Sequence, residues 1–188
     1  MQQDLGAALS YMTRELRRAG QWNGAANQGI WTNGNTAVQG NPFQDITIIG
    51  TSSDPKQPES GHEIRFSYEE DQAAPSTGTP QSKHRHGFRL EGGQLKALLG
   101  AAGWQAITNL EAITVTRFNV GSRQESLDLS KYCEKPCPTN EISTCPSQQL
   151  RHFDIAIAAQ STANPRVERH IQTSVRMLND KIVGQCPK

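Results

Sequence analysis

A chain of 188 residues is the size of one domain, able to bury roughly 70% of the surface its unfolded form exposes, and it calls for no second domain. Apolar residues make up 35% and aromatics 6%, so the expected core is modest; 19 basic against 18 acidic side chains leave a net charge of +1, which excludes a global field for recruiting nucleic acid or anionic lipid. No run of about 18 apolar residues is long enough to cross a membrane, and no basic region followed by an apolar core and a small-residue cleavage site opens the chain.

The first predicted element is a helix over 4–19. Leu5, Ala8, Leu9, Met12, Leu16 and Ala19 recur at three- and four-residue steps and fall on one stripe. Arg14, Arg17 and Arg18 crowd its last turns, where cations meet the negative end of the helix dipole, and Gly20 supplies a stop. Residues 20–43 read as loop, with turn signals at Asn23-Gly24, Asn33-Gly34 and Asn41-Pro42 and with Trp22 and Trp31 as anchors on the core.

Strands follow. Ile46 and Ile48 alternate within 44–49, and Ile64, Phe66 and Tyr68 alternate with Glu63, Arg65 and Ser67. The stretches 51–61 and 70–83, rich in Pro, Ser, Thr, Gln and acidic residues, are expected to be loops. Phe88 and Leu90 pair with Leu95 and Leu98 across a hairpin turn at Gly92-Gly93, and Trp104 and Leu110 fall in the next connection. Within 112–120 the apolar phase switches from Ile113 and Val115 to Phe118 and Val120, which predicts a bulge near Arg117. Phe153, Ile155, Ile157 and Ala159, then Val167, Ile171, Val175 and Met177, make a long hairpin turning at 161–165.

The expected fold is α+β: one N-terminal helix on antiparallel sheet of about six or seven strands. A single domain over 1–188 would carry its β-rich head at 44–178 and a cysteine-bearing loop at 131–146.

All four cysteines, Cys133, Cys137, Cys145 and Cys186, lie in the last third, with Pro136, Pro138, Pro146 and Pro187 among them. An even number of clustered cysteines without paired C-x-x-C knuckles points to disulfides in an oxidising compartment rather than to zinc. Three pairings are open. The expected one returns Cys186 to the 133–145 cluster, a loop closure worth about 4 kcal/mol that would pin the C-terminus.

Chemical candidates are few. Lys83, His84, Arg85, His86 and Arg89 form the one dense basic patch; it is a candidate for DNA phosphates or a metal, and the favoured reading is a solvated loop edge. His152 and Asp154 share a strand face but lack any nucleophile elbow, zinc-binding helix motif or phosphate loop beside them. Glu69, Glu70 and Asp71 form an acidic run with weak calcium potential. The sequence therefore calls for no cofactor, no metal, no small-molecule substrate and no enzymatic activity.

The segment from Asp4 to Gly20, ending Met12-Thr13-Arg14-Glu15-Leu16-Arg17-Arg18-Ala19-Gly20, resembles the second half of the N-terminal helix of PilW-type minor pilins and of the J-type pseudopilins of type II secretion. Gly87-Phe88-Arg89-Leu90 with Gly92-Gly93-Gln94-Leu95, and the closing Val175-Arg176-Met177-Leu178-Asn179, are similar to further patterns of that family.

The resemblance implies a pilin-like head whose leader, N-methylated terminus and membrane helix precede Met1. It implies an inner-membrane subunit with a periplasmic head that joins a fibre near its tip, with other major and minor pilins or pseudopilins as partners. In that architecture Leu5, Leu9, Met12 and Leu16 lie against the protein's own sheet, while Asp4, Tyr11, Arg14 and Arg18 are candidates for contact with neighbouring subunits. A nucleic-acid partner is the less favoured alternative.

Overall fold

The computed structural model describes residues 2–24, 40–50, 60–69, 79–138 and 144–187; Trp31, the Asn33-Gly34 turn, Glu70, Asp71 and most of the two polar loops lie outside them. Helix α1 spans Gln2–Arg18 and buries Leu5, Ala8, Met12 and Leu16 along the expected stripe. Its end is built from distant parts of the chain. Gly20 takes φ 75°, and a Cβ there would collide with the terminal methyl of Met177, so the position requires glycine both for conformation and for space.

The last carbonyls of a helix have no partner within it. Here the Leu178 N–H donates to the Arg17 carbonyl at 3.3 Å, and the Asn179 side-chain amide donates to the carbonyls of Arg18 and Ala19 at 3.3 and 3.0 Å. The Asn of the closing sequence pattern is thus a cap for α1, supplied from more than 150 residues away.

Ten strands follow among the described residues: β1 Thr47–Ile49, β2 Ser60–Gly61, β3 Glu63–Ser67, β4 Arg85–Glu91, β5 Gln94–Leu99, β6 Trp104–Ala106, β7 Ile113–Asp128, β8 Ser147–Ser161, β9 Glu168–Arg176 and β10 Lys181–Val183. They form two antiparallel five-stranded sheets. The first has the order β1-β3-β4-β5-β6; the second has the order β10-β8-β7-β2, with β9 also paired to β8.

This corrects the expectation of about six or seven strands. The three additions, β2, β6 and β10, are two or three residues long, so each presents at most two side chains to a face and leaves no alternation to read. The sequence pattern places Ser60–Gly61 in a loop and Trp104 in a connection, whereas the ladder pairs Gly61 with Val120 and Trp104 with Leu98.

One core joins the elements. The helix stripe meets Ile64, Phe66, Phe88 and Leu95 of the first sheet and Val115, Phe118, Ile155 and Val175 of the second. Gly92 and Gly93 both have positive φ, 60° and 77°, the requirement of the tight two-residue hairpin turn that joins β4 to β5. The tip of that hairpin docks on the second sheet through the Val115 N–H, which donates to the Gly93 carbonyl at 2.8 Å. The β7–β8 register shifts between Val115 and Arg117, the bulge that lets Ile113, Val115, Phe118 and Val120 all face inward.

The cysteines pair Cys133–Cys186 and Cys137–Cys145. With a sequence separation of 53, the first closure restricts the unfolded chain by about 4 kcal/mol; the second, with a separation of 8, contributes about 2.5 kcal/mol by the same entropy argument.

Candidate functional site

Two surfaces carry the candidate residues. The first is the outward side of α1. Gln3, Gly6, Ala7, Ser10, Arg14 and Arg17 are exposed, and they recur at helical spacing opposite the buried stripe. Leu9, expected in the core, is only half-buried and lies at the rim. It lines a groove of about 510 Å3 with Thr13, Arg14, Arg17, Arg18 and Thr173 of β9.

The four helix residues taken as neighbour contacts divide. Asp4 is half-exposed in the first turn. Arg14 is open to solvent, with its Nε 3.0 Å from the Glu15 carboxylate. Tyr11 and Arg18 instead serve the protein's own fold. Tyr11 meets Phe88 edge-on at 5.8 Å between ring centroids, and Arg18 lies over the Tyr68 ring at 4.4 Å, a cation–π contact.

Beneath them, Glu15 is buried and accepts a hydrogen bond from the Tyr68 hydroxyl. Burial, and then that bond to Glu15, push the Tyr68 phenol far above its ordinary range, so it stays a donor at any physiological pH. His86 stacks on the same ring at 3.9 Å, nearly parallel. The apolar stripe could not announce Glu15; its only sequence signal is a charged residue one step from Leu16.

The basic run at 83–89 does not form one surface. Strand alternation turns His86 and Phe88 inward and Arg85 and Arg89 outward. His84 and His86 are 6% and 7% exposed, which corrects their reading as a solvated edge. His84 packs edge-on against Phe43 at 5.2 Å, and its Nδ1 accepts from the Gln81 N–H at 3.2 Å. Lys83 and Arg85 remain exposed. Arg89 is half-buried, holds Glu91 through two bonds of 2.9 and 3.0 Å, and lies over the Trp104 ring at 4.2 Å.

The remaining candidates are structural in their geometry. Asp154 accepts from Arg123 at 2.8 and 3.3 Å, and this bond holds its carboxyl below the ordinary carboxylate range. Glu69 is buried and accepts from the Asn23 N–H at 2.9 Å. Among the described residues no group of three His, Cys, Asp or Glu side chains is placed to hold a metal ion, and no helix is long and apolar enough to cross a membrane.

Comparison with known proteins gives one result. Neither a curated protein nor a solved structure matches the chain. Residues 1–177 match the family model described as prepilin peptidase-dependent protein B, and the chain therefore belongs to that pilin-related family.

Proposed function

We propose that this chain is the head of a PilW-type minor pilin, a structural and non-catalytic subunit that takes part in assembling a type IV pilus near its tip. The observation that carries the reading is the two-sidedness of α1. One side is locked to the sheets through Leu5, Met12, Leu16 and the Asn179 cap, and the other is bare from Gln3 to Arg17. A helix fixed so firmly on one side offers its other side as a rigid packing strip to a neighbouring subunit, with Arg14 and Arg17 as its charged end.

The basic-loop alternative, in which the head captures DNA, loses two of its five residues to the core. Family membership sits equally well with a pilus and with a secretion pseudopilus, so the test has to separate them. In a host lacking the gene, surface pili are counted and protein secretion is measured, then both are repeated with the chain restored as wild type or as Arg14→Glu with Arg17→Glu. The reading predicts few pili without the gene, recovery with wild type, and poor recovery with the charge-reversed protein at normal abundance. Normal piliation without the gene would sink it; a defect in secretion alone would move the subunit to the secretion apparatus.

A further inference from the structure

The strands that end the two sheets differ in length. β1, β2, β6 and β10 are two or three residues long, and such short ends give a foreign strand little to pair with. β9 is nine residues long and is paired on one side, to β8. Antiparallel neighbours alternate between pairs that exchange hydrogen bonds and pairs that do not. The Ser161 N–H donates to the Val167 carbonyl and the Met177 N–H to the Arg151 carbonyl, so the odd-numbered residues of β9 bond to β8. His170, Gln172 and Ser174 turn their N–H and C=O groups the other way, where no backbone group among the described residues meets them. All three residues are exposed.

That edge runs beside the groove of about 510 Å3 between α1 and β9. The odd-numbered side chains of β9 lie on the helix side: Val175 is buried in the core, Ile171 packs against it and Thr173 lines the groove. A strand added to β9 sends its own alternate side chains to that same side. Across the groove stand Leu9 and, in the following turns of α1, Arg14, Arg17 and Arg18. No carboxylate lines it. Glu15, the partner of Arg14, is buried and already accepts from the Tyr68 hydroxyl, and the Arg17 side chain has no hydrogen bond or ion pair among the described residues.

We infer that β9 takes up an extended strand of a neighbouring protein, one that carries acidic side chains at alternate positions. The main chain of that strand bonds to His170, Gln172 and Ser174, and its acidic side chains reach into the groove toward Arg14 and Arg17. A second copy of β9 fits this place less well. Its own odd-numbered residues are bonded to its β8, so only its even-numbered ones can pair here, and in every antiparallel register its Arg169 then falls on the groove side, among Arg14, Arg17 and Arg18. The inference rests on the outward side of α1 being a contact surface, and it specifies the element that the neighbour brings to it.

The test is a titration of the whole chain, labelled with nitrogen-15, with three blocked peptides of the length of β9: one alternating threonine with glutamate, one with lysine in place of glutamate, and the first again with its threonine amides methylated. With the glutamate peptide the amides of His170, Gln172 and Ser174 should shift and exchange more slowly, and those of Ile171 and Thr173 should change less. The other two peptides should leave all of them still. Gln172→Pro removes an outward N–H and no bond to β8, and should weaken binding about tenfold. Arg14→Ala with Arg17→Ala should weaken it by roughly fivefold to thirtyfold. The dispersion of the remaining spectrum reports whether Gln172→Pro is folded, and the methylated peptide puts the same question to the unaltered chain. The inference is overturned by an absence of shifts at millimolar glutamate peptide, by equal binding of the lysine or the methylated peptide, or by unaltered binding in either folded variant. It is overturned as well by shifts of the same amides on concentrating the chain alone, which would give the edge to a second copy. Absence of binding together with poor piliation in Arg14→Glu with Arg17→Glu would sink the strand and leave the packing role of α1 standing.

Discussion

Along the ribbon of β7 and β8, the half from Ile113 to Val120 turns Ile113, Val115, Phe118 and Val120 into the core against Ile155, Ile157 and Ala159, whereas from Arg123 to Asp128 every side chain of β7 is exposed, Leu127 by 52%. The ladder of paired residues runs unbroken through both halves apart from the bulge at Val115 and Arg117. Two kinds of restraint therefore hold one pair of strands. The near half is kept by apolar burial that it shares with α1 and the first sheet. The far half has little to bury and is kept by the short pairing of β10 on β8, the Arg123–Asp154 ion pair and the Cys133–Cys186 bond just beyond it.

The largest effect is expected from emptying the near half. Phe118 is 4% exposed, and Phe118→Ala removes its transfer free energy and leaves a cavity, for a loss of roughly 3–5 kcal/mol measured by denaturant unfolding at constant slope. A loss below about 1 kcal/mol would mean that the bulge lets the strand close the gap, and the near half would no longer be the rigid one.

Removing the far tie comes next. Cys133→Ser with Cys186→Ser should cost roughly 2–4 kcal/mol, and hydrogen exchange shows where. Amides of the near half should lose only the global amount, while those of β8 from Ser147 to Arg151 should fall below it, because the far half can then open without the core. If both halves fall together, the bond restrains the unfolded chain only and is not what holds the ribbon's end.

The same contrast explains what could be read in advance. Wherever side chains alternate against a core the sequence showed it: the helix stripe, the Gly92-Gly93 hairpin and the phase change at Arg117 all come from apolar residues sorted by face. The helix cap by Asn179 was visible only as a pattern, since nothing local connects it to Arg18. The 83–89 run misled for the opposite reason. Composition groups five basic side chains, but a strand sends neighbours to opposite faces, and aromatic surroundings at Phe43, Phe66 and Tyr68 drew both histidines inward. Gly87 is a quieter signal: a glycine inside a strand marks close backbone approach, and a Cβ there would lie 2.5 Å from the Ile64 carbonyl oxygen.

The smallest effect tests the ion pair of the far half and depends on pH. Arg123 depresses the folded-state pKa of Asp154 below its ordinary value of 3.8, so the contribution is fully present above that value and is lost as pH falls through the lower, folded one. Both side chains are more than one-third exposed, 58% and 36%, so solvent screening limits the pair to about 0.2–1 kcal/mol. Asp154→Asn should lower stability by that amount at pH 7, and the difference should shrink as pH falls below 3.8 and vanish once the wild-type carboxylate is itself protonated. About 1 M salt at pH 7 should shrink the difference in the same way, since the screening length then falls to about 3 Å. A difference that persists in acid would assign the effect of Asp154 to packing against β9 rather than to charge, and the far half would then have more in common with the near half than its exposure suggests.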